Sequence, residues 1–154
     1  MAIDEKDWDH PQPFTLRVKV AGEHIDGLNH TNNKVYVQWC EQVAWAHSVS
    51  LGLDLDSYRD LNRAMAITSA QYHYLQASRE GEELVVATWI SGWDKKLTME
   101  RHFQITRISD AVTLLRAEMR FACIELTTGR PRRMPQEFLE GYGPAVLNFD
   151  QAGG

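Results

Sequence analysis

The sequence predicts an α+β fold in which a curved antiparallel sheet wraps around one long central helix. Residues 35–49 are nearly all apolar, which is typical of a helix that is buried on most sides. Residues 65–125 then form four runs rich in β-branched and aromatic residues, separated by short turns. Connections this short allow hairpins but no crossover helices, so the four runs are expected to form an antiparallel meander. A single sheet of that length can cover the helix only by curling around it.

The ends of the central helix can be located from residue types. Thr31, Asn32 or Asn33 can cap its free amides, and Gly52 stands where a left-handed residue usually follows a helix. The loop at residues 26–33 therefore delivers its side chains to a helix N-terminus. Such an end carries unpaired N–H donors and partial positive charge, so it favours an anion.

The other elements follow from the hydrophobic pattern. Residues 15–20 alternate as a half-buried strand, and residues 53–61 have room for one short helical turn. A short helix is expected at residues 135–139. The four later strands are expected at residues 65–75, 84–93, 97–106 and 111–125.

The third of these runs has the clearest alternation. Leu97, Met99, Phe103 and Ile105 fall on one face, and the intervening residues are polar. Only Arg101 breaks the apolar face. One face of the sheet is therefore expected to be drier than the other.

A length of 154 residues predicts one domain. Residues 1–13 are polar and are expected to form an arm, with Trp8 packing onto the body at a place that the sequence does not give. The domain itself is expected at residues 14–141, followed by a tail at residues 142–154. There is no internal repeat or low-complexity segment.

The composition excludes several classes of function. A net charge of −5 argues against nucleic acid or an anionic membrane as the main partner. No apolar run approaches the length of a membrane span, and the acidic N-terminus does not resemble a secretory signal. Cys40 and Cys123 have the surroundings of small buried hydrophobic residues rather than of a disulfide. These features predict a cytoplasmic protein.

The loop before the central helix concentrates groups that can do acid–base chemistry: Asp26, His30, Asn32 and Asn33. A carboxylate there can act as a general base on water or as a nucleophile toward an acyl group, while helix amides polarise the attacked carbonyl. His30 could orient the substrate carbonyl. A purely structural interpretation, in which Asp26 caps a turn and Asn33 caps the helix, stays open at this point.

The segment D-x-x-x-H-x-N-N-x-x-Y-x-x-W resembles the signature of hotdog-fold acyl-CoA thioesterases of the 4-hydroxybenzoyl-CoA thioesterase type. It is formed by Asp26, His30, Asn32, Asn33, Tyr36 and Trp39. The order of elements is also similar to that fold, and the tail motif R-P-x-R-x-P, which starts at Arg130, resembles the way many members end. The resemblance covers about residues 14–140.

This resemblance implies roles for individual residues. Asp26 matches the carboxylate that serves as nucleophile or general base, with His30 and Asn33 placing the acyl group or holding the loop. Asn32, Tyr36, Arg130 and Arg133 are then candidates for binding the acyl-CoA substrate; Arg132, Lys95 and Lys96 are weaker candidates for its phosphates.

Two positions depart from related patterns. Asn29 stands where Gly is frequent, and Leu28 stands where plant-type acyl-carrier-protein thioesterases carry Asn. The second departure favours CoA as the carrier. Hotdog proteins pair units edge to edge, so the resemblance also implies a homodimer or homotetramer.

No cofactor is expected beyond the CoA of the substrate. His24, Asp26 and His30 lie close in sequence, but no pair of histidines has helical ligand spacing, so no metal is expected. The G-x-S-x-G and G-x-G-x-x-G motifs are absent, and an apolar helix face would raise the pKa of Cys40. The alternatives left open are a hotdog enoyl-thioester hydratase or dehydratase, a non-catalytic acyl-CoA-binding module, and a small structural dimer.

Overall fold

A five-stranded antiparallel sheet packs against helix α1 in the computed structural model, which describes residues 3–147. The helices are α1 (Asn33–Ser50), α2 (Leu55–Leu61) and α3 (Gln136–Tyr142). The strands are β1 (Phe14–Lys19), β2 (Arg63–Tyr74), β3 (Glu83–Trp93), β4 (Thr98–Arg107) and β5 (Thr113–Glu125). Single turns of 3-10 helix lie at Glu5–Asp7, Gly22–His24 and Gly143–Ala145. The predicted fold class is confirmed.

Helix α1 begins and ends where its sequence indicates. The side chain of Asn32 accepts a hydrogen bond from the N–H of Lys34 at 3.2 Å and is the N-cap. At the other end, Gly52 has φ +85°, the left-handed conformation that glycine adopts without steric cost. The apolar face of α1 is buried against the sheet through residues such as Trp39, Cys40 and Val43.

The inner face of the sheet carries the alternating apolar residues. In β4, Met99, Phe103 and Ile105 are buried, as the alternation predicts. Arg101 is on the same inner face and is only 3% exposed. A charged side chain is thus enclosed between helix and sheet.

The predicted meander of four strands is wrong for β2. The strand order is β1-β3-β4-β5-β2, so only β3, β4 and β5 form a meander, while β2 lies at the far edge beside β5. The eight residues 75–82 between β2 and β3 can span about 26 Å when extended, whereas three strand spacings need about 14 Å. A connection without a helix is therefore long enough to cross the end of the sheet.

Strand β2 leaves one edge without a partner among residues 3–147, because it pairs only with β5. Most of its second half is exposed, and Ile67 and Tyr74 are 46% and 44% exposed. A long exposed edge with large apolar side chains is a surface that natural proteins usually cover.

The N-terminal arm packs on the outer face of the sheet. The Trp8 ring lies edge-on to Trp89 with centroids 6.2 Å apart, and Trp89 donates from Nε1 to the carbonyl of Pro11 at 3.0 Å. Gln104, which is fully buried, bonds to the backbone of both Asp7 and Asp9 at 2.9 Å. The expectation that Trp8 packs onto the body is confirmed, and the arm explains why the outer face of β3 and β4 is dry.

The C-terminal segment is also packed. Tyr142 is 2% exposed, and the N–H of Leu147 donates to the carbonyl of Ile90 at 2.9 Å. The segment from residue 142 that the sequence assigns to a tail thus begins inside the packed domain, and its residues 148–154 lie outside the described part. Within the described residues, no helix has both the length and the apolar composition to cross a membrane.

Candidate active site

The Asp26 loop is a closed turn that holds one carboxylate oxygen and leaves the other free. Ile25 and Thr31 form an isolated antiparallel bridge, and the N–H of Asp26 donates to the carbonyl of His30 at 2.8 Å. Oδ1 of Asp26 accepts from the N–H of Leu28 at 2.8 Å and from that of His30 at 3.2 Å. Among residues 3–147, Oδ2 has no donor. The half-buried carboxylate therefore presents one oxygen that is available to a substrate or a water molecule.

Asn29 explains how this turn closes. Its φ is +64°, a left-handed conformation that asparagine tolerates better than most residues other than glycine. This is the physical reason why Asn29 can replace a glycine at this point. His30, one position later, is half-buried beside Asp26, and its imidazole has no hydrogen-bond partner in the described part of the chain.

The start of α1 follows this loop directly, since the bridge at Thr31 is two residues before the first helical residue. Asn32 is committed to the helix: its side chain caps the N–H of Lys34, and its carbonyl accepts from the N–H of Val35 at 2.9 Å. The N–H of Asn33, the first helical residue, has no acceptor among the described residues. Asn33 itself is exposed, so its side chain is available to a ligand at the start of α1.

Tyr36 lies behind the loop rather than on its surface. Its hydroxyl lies 2.7 Å from Oγ of Ser78 and accepts from the N–H of Ser78 at 3.1 Å. Oγ1 of Thr31 lies 2.6 Å from the same Oγ, and all three side chains are buried. This cluster fastens the crossing connection between β2 and β3 to the start of α1. In the described chain, Tyr36 positions the loop and has its hydroxyl occupied by Ser78.

Arg130 and Arg133 are not beside Asp26 of the same chain. The N–H of Glu125, at the end of β5, donates to the carbonyl of Arg130 at 2.9 Å, and Nε of Arg63 donates to the carbonyl of Arg133 at 3.3 Å. Both exposed arginines therefore lie near the beginning of β2, whereas the Asp26 loop lies near its end. Arg63 lies beside Arg133 and is a third basic residue in this region. The side chain of Arg132 forms an ion pair with Glu125.

A cavity of about 180 Å³ opens between α1 and the inner face of the sheet. Its mouth is formed by exposed residues, namely Glu41 and Trp45 on α1 and Ile67 on β2. The rest of the lining is mostly apolar and includes three methionines. The lining residues are Glu41, Ala44, Trp45, Ser48, Tyr58, Met65, Ile67, Met99, Arg101, Met119, Phe121 and Tyr142.

Arg101 brings a charge into this cavity without a carboxylate partner. Its Nη1 lies 2.9 Å from Nδ1 of His47 and 3.4 Å from Oγ1 of Thr88. Burial lowers the pKa of Arg101 to about 10, so the guanidinium stays protonated at neutral pH. Burial and the neighbouring Arg101 lower the pKa of His47 to about 4, so the imidazole is neutral there.

A chain of hydroxyl groups lies next to Arg101. Oγ of Ser48 donates to the carbonyl of Leu53 at 2.6 Å, so it accepts from the hydroxyl of Tyr142, 2.7 Å away. The hydroxyl of Tyr142 then accepts from that of Tyr58. Burial raises the pKa of both tyrosines above the ordinary value, so both remain protonated.

The two cysteines offer no nucleophile. Cys40 and Cys123 are both fully buried and free. Burial raises the pKa of Cys40 to about 12 and that of Cys123 to about 11, so neither is a thiolate at neutral pH. The expectation that an apolar helix face raises the pKa of Cys40 is confirmed.

Sequence reasoning missed most of the cavity. Its lining residues Ser48, Tyr58 and Tyr142 come from α1, α2 and α3, so no local pattern distinguishes them from ordinary core residues. His47, the hydrogen-bond partner of Arg101, was missed as well. The signal that could have led to the cavity is Arg101, the one charge on an otherwise apolar strand face.

The long helix packed on a curved antiparallel sheet defines a hotdog fold, and solved structures share it. The chain matches a 1,4-dihydroxy-2-naphthoyl-CoA thioesterase from Synechocystis with a TM-score of 0.76 at 20% identity, covering 90% of this chain and 98% of that one. It matches a protein from Staphylococcus aureus in complex with CoA with a TM-score of 0.79 at 23% identity, over 89% of this chain and 87% of that one.

The sequence also shows which family the chain belongs to. Residues 20–141 match the Thioesterase-like superfamily, and the chain belongs to this family. A curated relative is a chloroplastic acyl-acyl carrier protein thioesterase, ATL3 of Arabidopsis thaliana, which is 27% identical over 88 residues. The match covers 57% of this chain and 46% of that protein, so the chain spans about half the length of this relative.

Proposed function

We propose that the protein is an acyl-CoA thioesterase that hydrolyses a thioester to a free acid and CoA, with Asp26 as the acting carboxylate. The observation that carries the proposal is the geometry of Asp26. Two backbone N–H groups hold Oδ1, while Oδ2 has no donor among residues 3–147, and the loop that carries Asp26 leads directly into α1. Membership of the Thioesterase-like superfamily supports the reaction class.

The reaction needs little more than this carboxylate and a donor for the developing oxyanion. The thioester carbonyl oxygen accepts from the N–H of Asn33, where the helix dipole favours negative charge. Asp26 then either attacks the carbonyl carbon to give a mixed anhydride that water hydrolyses, or takes a proton from the attacking water. In both routes the C–S bond breaks and CoA leaves as a thiolate that is protonated in solution. His30 steers the carboxylate or the carbonyl.

The cavity receives the acyl group of a substrate that is bound between two subunits. Glu41 and Trp45 at the cavity mouth lie about 12 to 18 Å along α1 from Asn33, too far for one chain to supply both parts of a short site. Tyr74 at the end of β2 contacts Tyr36 in the first turn of α1, with ring centroids 6.1 Å apart. The start of α1 therefore lies at the end of β2, whereas the cavity mouth lies near the beginning of β2.

A homodimer with paired β2 strands brings the Asp26 loop of one subunit close to the cavity mouth of the other. A two-fold axis perpendicular to the sheet, beside the middle of the free edge of β2, makes the two strands antiparallel, so the end of one strand meets the beginning of the other. Met65 and Ile67 at the beginning line the cavity of one subunit. The partner subunit's Asp26 then lies over the mouth of that cavity, and the exposed edge of β2 is covered.

The same pairing gives the arginines a role. Arg63, Arg130 and Arg133 lie near the beginning of β2, so the dimer brings them toward the partner subunit's Asp26 loop. Guanidinium groups pair well with phosphates, which supports an interaction with the CoA portion of the substrate. The Staphylococcus aureus neighbour in complex with CoA supports CoA as the ligand, and a cytoplasmic location is part of the same proposal.

Acyl carrier protein is the second candidate carrier, because the curated relative is an acyl-acyl carrier protein thioesterase. Thiol release is therefore measured with matched acyl-CoA and acyl-carrier-protein substrates of short, long and aromatic acyl groups. The wild-type protein is compared with Asp26→Asn, in which the amide oxygen can still accept from Leu28 and His30. Asp56→Asn, an exposed carboxylate on α2, is the matched control.

The expected result is hydrolysis of CoA thioesters by the wild-type protein and by Asp56→Asn, with a loss of at least about 100-fold in Asp26→Asn. Activity only on acyl carrier protein would transfer the proposal to the second carrier. A wild-type protein that cleaves no thioester, or an Asp26→Asn variant as fast as wild type, would contradict the proposed role of Asp26.

A further inference from the structure

The guanidinium of Arg101 has a carboxylate-binding edge with nothing bound to it. Nη1 makes both of its hydrogen bonds, to His47 and Thr88. Within residues 3–147, Nε and Nη2 have no acceptor, and no ion pair involves Arg101. These two nitrogens form the side of the guanidinium fork that binds a carboxylate with two parallel hydrogen bonds.

Two other arginines of the same chain show how this edge is used. Arg107 donates from Nε and Nη2 to the carboxylate of Asp110 at 3.0 and 2.8 Å. Arg116 donates from Nε and Nη2 to Asp9 at 2.7 and 2.9 Å. Both of those pairs are near the surface, whereas Arg101 is 3% exposed and has no such partner.

The neighbouring groups do not neutralise Arg101. His47 is uncharged, and the hydroxyl protons of Tyr58 and Tyr142 are used within the chain that ends at the carbonyl of Leu53. Glu41, a carboxylate in the cavity lining, is exposed at the mouth and forms no ion pair with Arg101. A buried charge without a counter-ion is costly, so the cavity has a strong preference for an anion at this end.

The size of the cavity limits the ligand. A protein cavity of about 150 Å³ holds a benzene molecule, so a cavity of this size holds a chain of roughly six carbon-sized atoms. Its apolar wall, with Met65, Met99 and Met119, suits methylene groups, and Arg101 is the one cationic residue in the lining.

We propose that the acyl group bound in this cavity is a short chain that ends in a carboxylate, which Arg101 grips through Nε and Nη2. This inference rests on the proposed thioesterase function for the position of the thioester at the cavity mouth. It names the substrate class as the CoA thioester of a dicarboxylic acid of about six carbons. The bound carboxylate completes an ion pair that the protein leaves half formed.

The test compares adipoyl-CoA with hexanoyl-CoA, which have six-carbon acyl groups that differ in the terminal carboxylate. The kcat/KM of the wild-type protein is expected to favour adipoyl-CoA by about 10- to 100-fold, the usual size of a hydrogen bond to a charged group. Arg101→Met fills a similar volume without charge and is expected to reverse this preference. Arg101→Lys keeps the charge and is expected to retain part of the preference for adipoyl-CoA.

Arg120→Met, which removes an exposed arginine from β5, is the matched control and is expected to keep the wild-type preference. Thermal unfolding identifies any variant that fails to fold. Equal or better hydrolysis of hexanoyl-CoA by the wild-type protein would overturn this inference and leave the thioesterase function intact. An unchanged preference for adipoyl-CoA in folded Arg101→Met would also overturn it.

Binding of the free acids separates this inference from the proposed function. Adipate and hexanoate are titrated against the wild-type protein and Arg101→Met, with the midpoint of thermal unfolding as the readout. If no thioester is cleaved but adipate stabilises the wild-type protein alone, the anion site stands and the thioesterase function falls. If adipate stabilises neither protein and no thioester is cleaved, both proposals are overturned.

Discussion

Nη1 of Arg101 lies 2.9 Å from Nδ1 of His47, and the two residues are 54 positions apart in sequence. Since a guanidinium can only donate, Nδ1 is the acceptor, which assigns the imidazole proton to Nε2. The ring of His47 is stacked on Phe14 with centroids 4.8 Å apart. The pair therefore joins β1, α1 and β4 behind the cavity wall that Arg101 forms, and it requires His47 to be neutral.

We expect the protein to lose stability as the pH falls through the range in which His47 would gain a proton. The pKa of His47 in the folded protein is about 4, below its ordinary value of 6.5. Between these values the unfolded chain binds more protons, so this contribution to the free energy of unfolding is fully present above pH 6.5 and is lost toward pH 4. Its size is about 1–2 kcal/mol after allowance for solvent screening, because His47 also borders an open crevice.

The measurement is urea unfolding between pH 4.5 and 7.5. In His47→Asn, whose side-chain oxygen can still accept from Arg101, the slope of stability against pH should be smaller than in wild type. His73→Asn, at an exposed position on β2, should keep the wild-type slope. An identical slope in His47→Asn would show that another group is responsible.

Replacement of Ser78 by Ala should loosen the Asp26 loop. The Ser78 hydroxyl contacts the side chains of both Tyr36 and Thr31, and its loss leaves two buried hydroxyl groups with poorer partners. We expect the free energy of unfolding to fall by about 1–3 kcal/mol and kcat to fall as well, because the loop position depends on this cluster. Denaturant unfolding and thiol release measure the two effects, with the exposed Ser109→Ala as the control; an unchanged stability would refute the role of the cluster.

Replacement of Ser69 by Glu should separate the proposed dimer. Ser69 is exposed near the middle of β2, so in the two-fold pairing its copies lie almost opposite each other, where like charges repel. We expect light scattering to show a dimer for the wild-type protein and for Ser109→Glu, and a monomer with little thioesterase activity for Ser69→Glu. A wild-type monomer with full activity would remove the two-subunit site.

The Asp26 loop and α1 could be located from the sequence because their signals are local. The side chains of Asp26 and Asn32 accept from amides within four positions, and the left-handed conformation of Asn29 is a property of that residue alone, so residue type and spacing carry the information. The roles of neighbouring residues were harder to assign. Tyr36 is predicted to bind substrate, and only the tertiary structure brings its hydroxyl to Ser78, a residue 42 positions away.

The sequence by itself determined the strand pattern, the central helix, the Asp26 loop and the odd charge at Arg101, because alternation, helical period and capping are short-range properties. Only the tertiary structure decided that β2 lies at the far edge beside β5 and that Arg101 meets His47 at the end of a cavity. The physical reason is that strand order and cavity lining depend on which distant surfaces pack best against each other. Segment 75–82 is long enough for either strand order, so local chain geometry does not choose between them.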